Sequence, residues 1–291
     1  MTNLKRLHFL LLLCTAASSG EGLGVSMRPV RAIQELGVPI EFVVNVKNNS
    51  KQRVEIDWGM DAVEHVSLTA YETATPETIL TGTASDPVDG IVKIRTMRLE
   101  PGESDSETVL ADRILRPSKP GTYTFSLSVG KSLNVKSEIR LFKDAEALKH
   151  ADPTAMSARE LFDAWALKAR LHPPFAAISD VDVGEEANNA SRWIVYARHP
   201  EAIKHQRQFL KFCKENDEVY AREAAKALVN QWTVEQIRFL VQEVVAQRRT
   251  AMPVSRAVFA AIKLHGMEPA NEEIQKLLTP YLDLIREVNV E

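Results

Sequence analysis

Cysteine is nearly absent from this sequence: 291 residues hold two, Cys14 and Cys213. Two cysteines permit one bridge at most, so the chain is not a disulfide scaffold and must be stabilised by packing. Metal-binding arrangements are missing as well. There is no C-x-x-C pair and no H-E-x-x-H helix, and the spacing of His199 and His205 does not place two ligands on one helix face. No glycine-rich phosphate cradle follows a strand, no G-x-S-x-G elbow occurs, and no S-x-x-K appears with its companion motifs. These absences predict no cofactor and no metal. Glycine and proline, at 12 and 14 residues, are too few for a collagen-like or low-complexity chain. There is no long basic run and the formal net charge is −3, so nothing predicts affinity for nucleic acid or an anionic membrane. The one long apolar run, beginning at Leu7, is too short to span a bilayer.

What is present is an ordinary globular composition, 45% hydrophobic and 26% charged, over a length that suits two domains. The first residues differ from the rest. Lys5 and Arg6 precede Leu7–Leu13, and Ala16, Ala17, Ser18, Ser19 and Gly20 follow. A basic stretch, an apolar core and small residues, in that order, make a secretory signal peptide over residues 1–19, with cleavage after Ser19. Leu13 is not the small residue an acylated cysteine needs before it, so lipid anchoring through Cys14 is not expected. The expected location is therefore periplasmic or secreted. Cleavage leaves Cys213 as the last cysteine, and its place between Phe212 and Lys214 in a helical stretch reads as a buried apolar filler.

Residues 24–142 alternate with a period of two. Ile40, Phe42, Val44 and Val46 oppose Glu41, Asn45 and Lys47. The same pattern recurs in Val54–Trp58, Val66–Ala70, Tyr123–Val129 and Val135–Leu141. Each run has one apolar and one polar face, as antiparallel strands covered on one side require. Asn48-Asn49-Ser50, Asp89-Gly90, Pro101-Gly102 and Pro120-Gly121 supply turns between runs. With further strands near 25–32, 91–99 and 109–115, seven or eight short strands predict two packed sheets. Gly37–Asn48, Leu99–Ser104 and Pro120–Phe125 resemble parts of an immunoglobulin-like domain, with Tyr123 near the tyrosine-corner position. The resemblance implies a sandwich without the paired cysteines of antibody domains, and it implies no particular task.

The period changes near Lys143. Residues 143–156 read as a linker or short helix, and 157–291 as a separate all-helical domain. Ser157 and Glu160 form a capping box before Leu161, Phe162 and Trp165. Further helices are expected over 186–198, from Pro200, over 217–231, from Thr233, over 254–265 and over 269–288, the last split at Pro280. Tyr220–Leu228 resembles the second helix of a HEAT-like repeat, which implies a short α-solenoid; the periodicity itself fits a helical bundle equally. The expected fold is thus an all-β immunoglobulin-like sandwich plus a separate all-α domain.

Functional candidates are sparse. Asp180 and Asp182 cluster before the helix at 186, and His172 and His199 each stand beside a proline. These four are the candidate binding residues; Tyr123, Trp58 and Cys213 are expected to serve the structure. Trp58, Trp165, Trp193 and Trp232 all lie in periodic elements and read as core, and the arginines at 192, 198, 207, 248 and 249 read as solvated helix faces. Asn48-Asn49-Ser50 and Asn189-Ala190-Ser191 have the spacing of glycan acceptors. The reading that follows is a non-catalytic exported protein that binds or organises a protein, peptide or glycan. The alternative is a hydrolytic enzyme with a His/Asp site near the interdomain region, pairing His172 or His199 with Asp180 or Asp182.

Overall fold

A computed structural model describes residues 22–60, 65–83, 94–129, 133–169, 185–250, 252–266 and 271–288. The expected leader with Cys14, and the candidate residues His172, Asp180 and Asp182, lie outside them.

Ten strands come first: β1 (Leu23–Pro29), β2 (Ile33–Glu35), β3 (Glu41–Asn48), β4 (Val54–Met60), β5 (Val66–Glu72), β6 (Thr75–Thr83), β7 (Ile94–Leu99), β8 (Ser104–Leu110), β9 (Gly121–Val129) and β10 (Leu133–Phe142). They form a five-stranded sheet in the order β2-β10-β9-β5-β6, a three-stranded sheet β1-β3-β8 and a ribbon β4-β7. All pairings are antiparallel except β2 with β10, where Ile33 lies opposite Arg140. The alternation in sequence becomes burial in space. Phe42, Val44 and Val46 of β3, Trp58 of β4, Leu68 of β5 and Phe125 and Leu127 of β9 meet in one core. The rings of Phe42 and Phe125 lie 5.0 Å apart at 52°, an arrangement aromatic quadrupoles favour. Each such fully buried side chain contributes on the order of 1.5–3 kcal/mol.

Two strands escape the alternation rule. β2 spans three residues and buries Gln34 and Glu35, so it carries no apolar signature. β6 is a polar edge strand with proline at 76, a residue the ladder tolerates only at an edge. The strand expected at 109–115 is shifted: β8 ends at Leu110 and a 3₁₀ turn follows over Ala111–Arg113. There the Asp112 carboxylate and the Ala111 N–H bind the backbone of Ile40, which draws the chain out of the ladder. Tyr123 donates its hydroxyl to the Lys119 carbonyl at 3.0 Å. Asn48 is fully buried: its Nδ2 donates to the carbonyls of Gln52 and Leu99 at 2.8 and 2.9 Å. The atom a glycan would need is therefore consumed in the fold, and Asn48 is not an acceptor site once the domain has folded.

The second half is helical: α1 (Ala145–Ala151), α2 (Ala158–Lys168), α3 (Glu185–Tyr196), α4 (Ile203–Phe212), α5 (Glu218–Val229), α6 (Val234–Arg238), α7 (Pro253–His265), α8 (Glu272–Leu278) and α9 (Leu282–Glu287). The helix begun by α6 runs on as a π-helix over Phe239–Val245, which no sequence signal announces. Pro280 sits in a 3₁₀ turn that separates α8 from α9, because its ring and missing N–H cannot continue an α-helix. Alanines let the helices approach: Ala221, Ala224 and Ala225 of α5 are fully buried in a core that also takes Phe209 of α4 and Phe259 of α7. Cys213 belongs to the same core, and burial pushes its thiol up to about 12, which leaves it inert. No helix among the described residues is long and apolar enough to cross a membrane.

The capping box opens α2. The Ser157 N–H donates to Glu160 Oε2 at 2.7 Å, and Glu160 N–H donates to Ser157 Oγ at 3.4 Å. Ser157→Ala should therefore lower stability by about 1 kcal/mol, read from a denaturant midpoint at unchanged slope. The bonds from Ser157, with Lys149 beside them, hold the Glu160 carboxyl down to about 2. A depressed carboxylate stabilises the fold above its unfolded value and loses that contribution as pH falls toward the folded one. The difference between wild type and Glu160→Gln should accordingly be present at neutral pH and vanish on descent from the ordinary carboxylate range toward pH 2.

Candidate functional site

Val38 and Leu110 of the β domain are buried in the helical core, which joins the two halves through a continuous apolar contact. Around it lies a polar seam. The turn after β2 places Gly37 against the chain leaving α3, and Arg198 N–H donates to the Gly37 carbonyl at 2.9 Å. Glu35 at the end of β2 accepts from Ala158 N–H at 2.6 Å and faces His199 Nε2 at 3.3 Å. Glu41 accepts from Trp193 Nε1 at 3.2 Å. Trp193 meets Trp165 at 5.1 Å and a 43° tilt, and Trp165 in turn packs edge-on with Phe162 and takes the Arg31 guanidinium 5.1 Å from its ring centre. Burial raises the Glu41 carboxyl above its ordinary value, partly opposed by the Trp193 bond and Arg31.

Charge concentrates at Glu223 of α5. It accepts from Arg198 Nη2 at 2.8 Å and Lys226 Nζ at 2.7 Å, and Arg116 of the β domain approaches to 3.9 Å. Burial opposes its ionisation, but Lys226, Arg198 and Arg116 outweigh it and hold the carboxyl below its usual value. Arg198, mostly buried and close to Arg116, is lowered to about 10. Asp112 stands behind Arg116 and is raised by burial, which Arg116 and the Ile40 N–H only partly offset. The expectation that Arg198 lies on a solvated helix face is thus overturned: its side chain is 19% exposed and ties the seam together.

Beside this network a pocket of about 310 Å³ opens between the domains. Arg116 enters from the β side; Arg198, His199, Gln206 of α4 and Asn230 and Gln231 after α5 enter from the helical side. Of the four candidate binding residues read from the sequence, His199 is placed here. Its Nδ1 accepts the Glu201 N–H at 3.2 Å, capping the turn that Pro200 begins, and its Nε2 engages Glu35. Sequence reading missed Arg116, Gln206 and Glu223. None stands in a motif, and only the packing of the two domains brings them together. Trp58 and Tyr123 lie in the β core, away from this seam. No group of three or more metal-ligating side chains occurs among the described residues.

No protein-family model matches the chain, and no curated protein matches it. Among solved structures it is similar to a β-glucosidase from Listeria innocua in complex with isofagomine, at 12% identity over 41% of this chain and 16% of that one, with a TM-score of 0.27. It is similar to the alkylpurine DNA glycosylase AlkC of Pseudomonas fluorescens bound to DNA, at 11% identity over 42% and 31% of the two chains, TM-score 0.27. A CARDB domain from Pyrococcus furiosus in complex with di-metal ions matches at 15% identity over 43% of this chain and 93% of that one, TM-score 0.22. The chain spans less than a third of the glucosidase and of the glycosylase, and scores this low establish no shared fold.

Proposed function

We propose that this is an exported, non-catalytic binding protein in which an immunoglobulin-like sandwich and a helical bundle are welded into one body that engages a protein, peptide or glycan. The state of His199 carries the reading. Its Nδ1 accepts a helix-capping N–H and its Nε2 lies 3.3 Å from buried Glu35 of the other half, so the imidazole has a structural duty at the seam. The sandwich reading is supported by the parallel pairing of β2 with β10 beside the antiparallel pairing of β1 with β3, and by the Tyr123 bond back to Lys119. The bundle reading is supported by α5, which packs against α3, α4 and α7 together, whereas a HEAT array leaves one helix face open to its groove. Export is supported by Lys5-Arg6, the leucine run and the small residues before Gly20.

The full-length chain, expressed in a bacterium, should be recovered outside the cytoplasm with Gly20 at its N-terminus. The purified product should bind members of a peptide or glycan array saturably. It should turn over none of a panel of chromogenic ester, amide, phosphate and glycoside substrates. Turnover that disappears in His199→Asn, His172→Ala or Asp180→Ala would overturn the reading. Asparagine at 199 retains a capping oxygen, and an unchanged denaturant midpoint in that variant would separate a loss of turnover from a loss of fold.

A further inference from the structure

We propose that β8, the outer strand of the three-stranded sheet, is closed against strand addition by its own carboxylates, and that Asp105 and Glu107 keep a second copy of this chain from pairing along it. Among the described residues β8 has one ladder neighbour, β3, in the order β1-β3-β8. The register decides which backbone groups face outward. Asn48 N–H donates to the Glu103 carbonyl and Ala111 N–H to the Ile40 carbonyl, both at 2.9 Å. Both pairs continue the register that sets Val46 opposite Asp105 and Val44 opposite Glu107. An antiparallel ladder bonds at every second pair. Residues 105, 107 and 109 therefore turn their backbone groups to β3, and residues 104, 106 and 108 turn theirs to the outer edge.

The outward donors at 106 and 108 are already engaged. Ser106 N–H donates to Asp105 Oδ1 at 2.8 Å, and Thr108 N–H donates to Glu107 Oε1 at 3.2 Å. A strand arriving along this edge needs those same donors for its own carbonyls.

The two carboxylates also stand where alternation asks for apolar side chains. Residues directly opposite in an antiparallel pair share one face of the sheet. Val44 and Val46 are fully buried in the sandwich core, and Val109, two residues beyond Glu107, is buried with them. Valine at 105 and 107 would extend that face. The sequence instead puts Asp105, exposed, and Glu107, half-buried, on the core-facing side of the outer strand. Charge in this position adds nothing to the core, and a neighbouring strand would have to cover it at a cost in hydration. The other outer strands are blunted differently: β2 spans three residues and β6 carries proline at 76. β8 runs for seven residues without proline. The partner it most needs to exclude is another β8. Two copies related by a two-fold axis present identical groups to each other, so four carboxylates would gather along one face, and like charges set opposite one another are unfavourable.

Sedimentation of the whole protein tests this. Asp105→Thr with Glu107→Thr removes both charges and leaves residues suited to a strand. This double variant should move to twice the wild-type mass, half of it associated at about 100 µM, with the far-UV spectrum unchanged. Ser104→Thr with Ser106→Thr, on the opposite face of the same strand, should keep the wild-type mass. Ser106→Pro added to the Asp105→Thr, Glu107→Thr pair removes an outward N–H and spares the ladder to β3; it should restore the wild-type mass. Should the threonine pair fail to fold, Asp105→Asn with Glu107→Gln keeps the side-chain size without the charge and should shift the mass in the same direction. A folded charge-free variant that keeps the wild-type mass, or an association that Ser106→Pro leaves intact, would overturn the proposal.

Discussion

Glu223→Gln should destabilise the protein by about 3–5 kcal/mol, the range seen when one partner of a buried ion pair is removed. Glu223 is 6% exposed and faces Arg198, Lys226 and Arg116. The neutral amide removes the charge that directly pairs with Arg198, whose guanidinium is mostly out of water and otherwise feels only the more distant Asp112 carboxylate. It also replaces an acceptor with a donor that points at other donors. The loss should appear as a lower denaturant midpoint and depend weakly on salt, since buried charges are poorly screened. Replacing Glu223 and Arg198 together with methionine should recover much of it, because a buried pair exchanged for apolar groups is often nearly neutral. A single-variant loss below about 1 kcal/mol would place the pair among ordinary surface bridges and leave the seam without its electrostatic tie.

Gly37→Ala should follow in size, and its mechanism can be isolated. Gly37 has φ +88°, and a Cβ there would meet the Arg198 carbonyl oxygen at 2.8 Å and its carbon at 2.9 Å. Gly102 has φ +84° with nothing within 4 Å of a Cβ. Gly102→Ala therefore measures the left-handed backbone alone, on the order of 1–2 kcal/mol. Gly37→Ala carries that term plus the separation of two backbones that share the Arg198 to Gly37 hydrogen bond. The difference between the two variants, taken from denaturant midpoints, reports the closeness of the domains. Equal effects would mean the seam yields without resistance.

The division into a strand-rich and a helical half was legible because it depends on period, and period survives in a single sequence. Phe42, Val44 and Val46 had to face inward once Asn45 and Lys47 claimed the other face. Ser157 and Glu160 announced α2 because a cap is a local transaction between residues three apart. β2 was hidden because Gln34 and Glu35 are buried for their hydrogen bonds rather than for apolarity. The π-helical stretch was hidden because Phe239–Val245 is apolar enough to satisfy either helix. The seam was illegible for a different reason. Arg116 and Glu223 are far apart along the chain, and either alone reads as a surface charge. His199 drew notice through its proline neighbour, yet its partner is Glu35 from the other domain, where the sequence pointed to Asp180 and Asp182.

The apolar plug of Val38 and Leu110, with the bonds around it, bears on how fast and in what manner anything binds. Domains joined by small polar contacts swing freely and clamp a ligand by closing on it. Here the junction is core, so, under the proposed binding function, a ligand would meet a surface that does not have to close on it: arrival would be governed by encounter and orientation, and differences among ligands by how long each one stays.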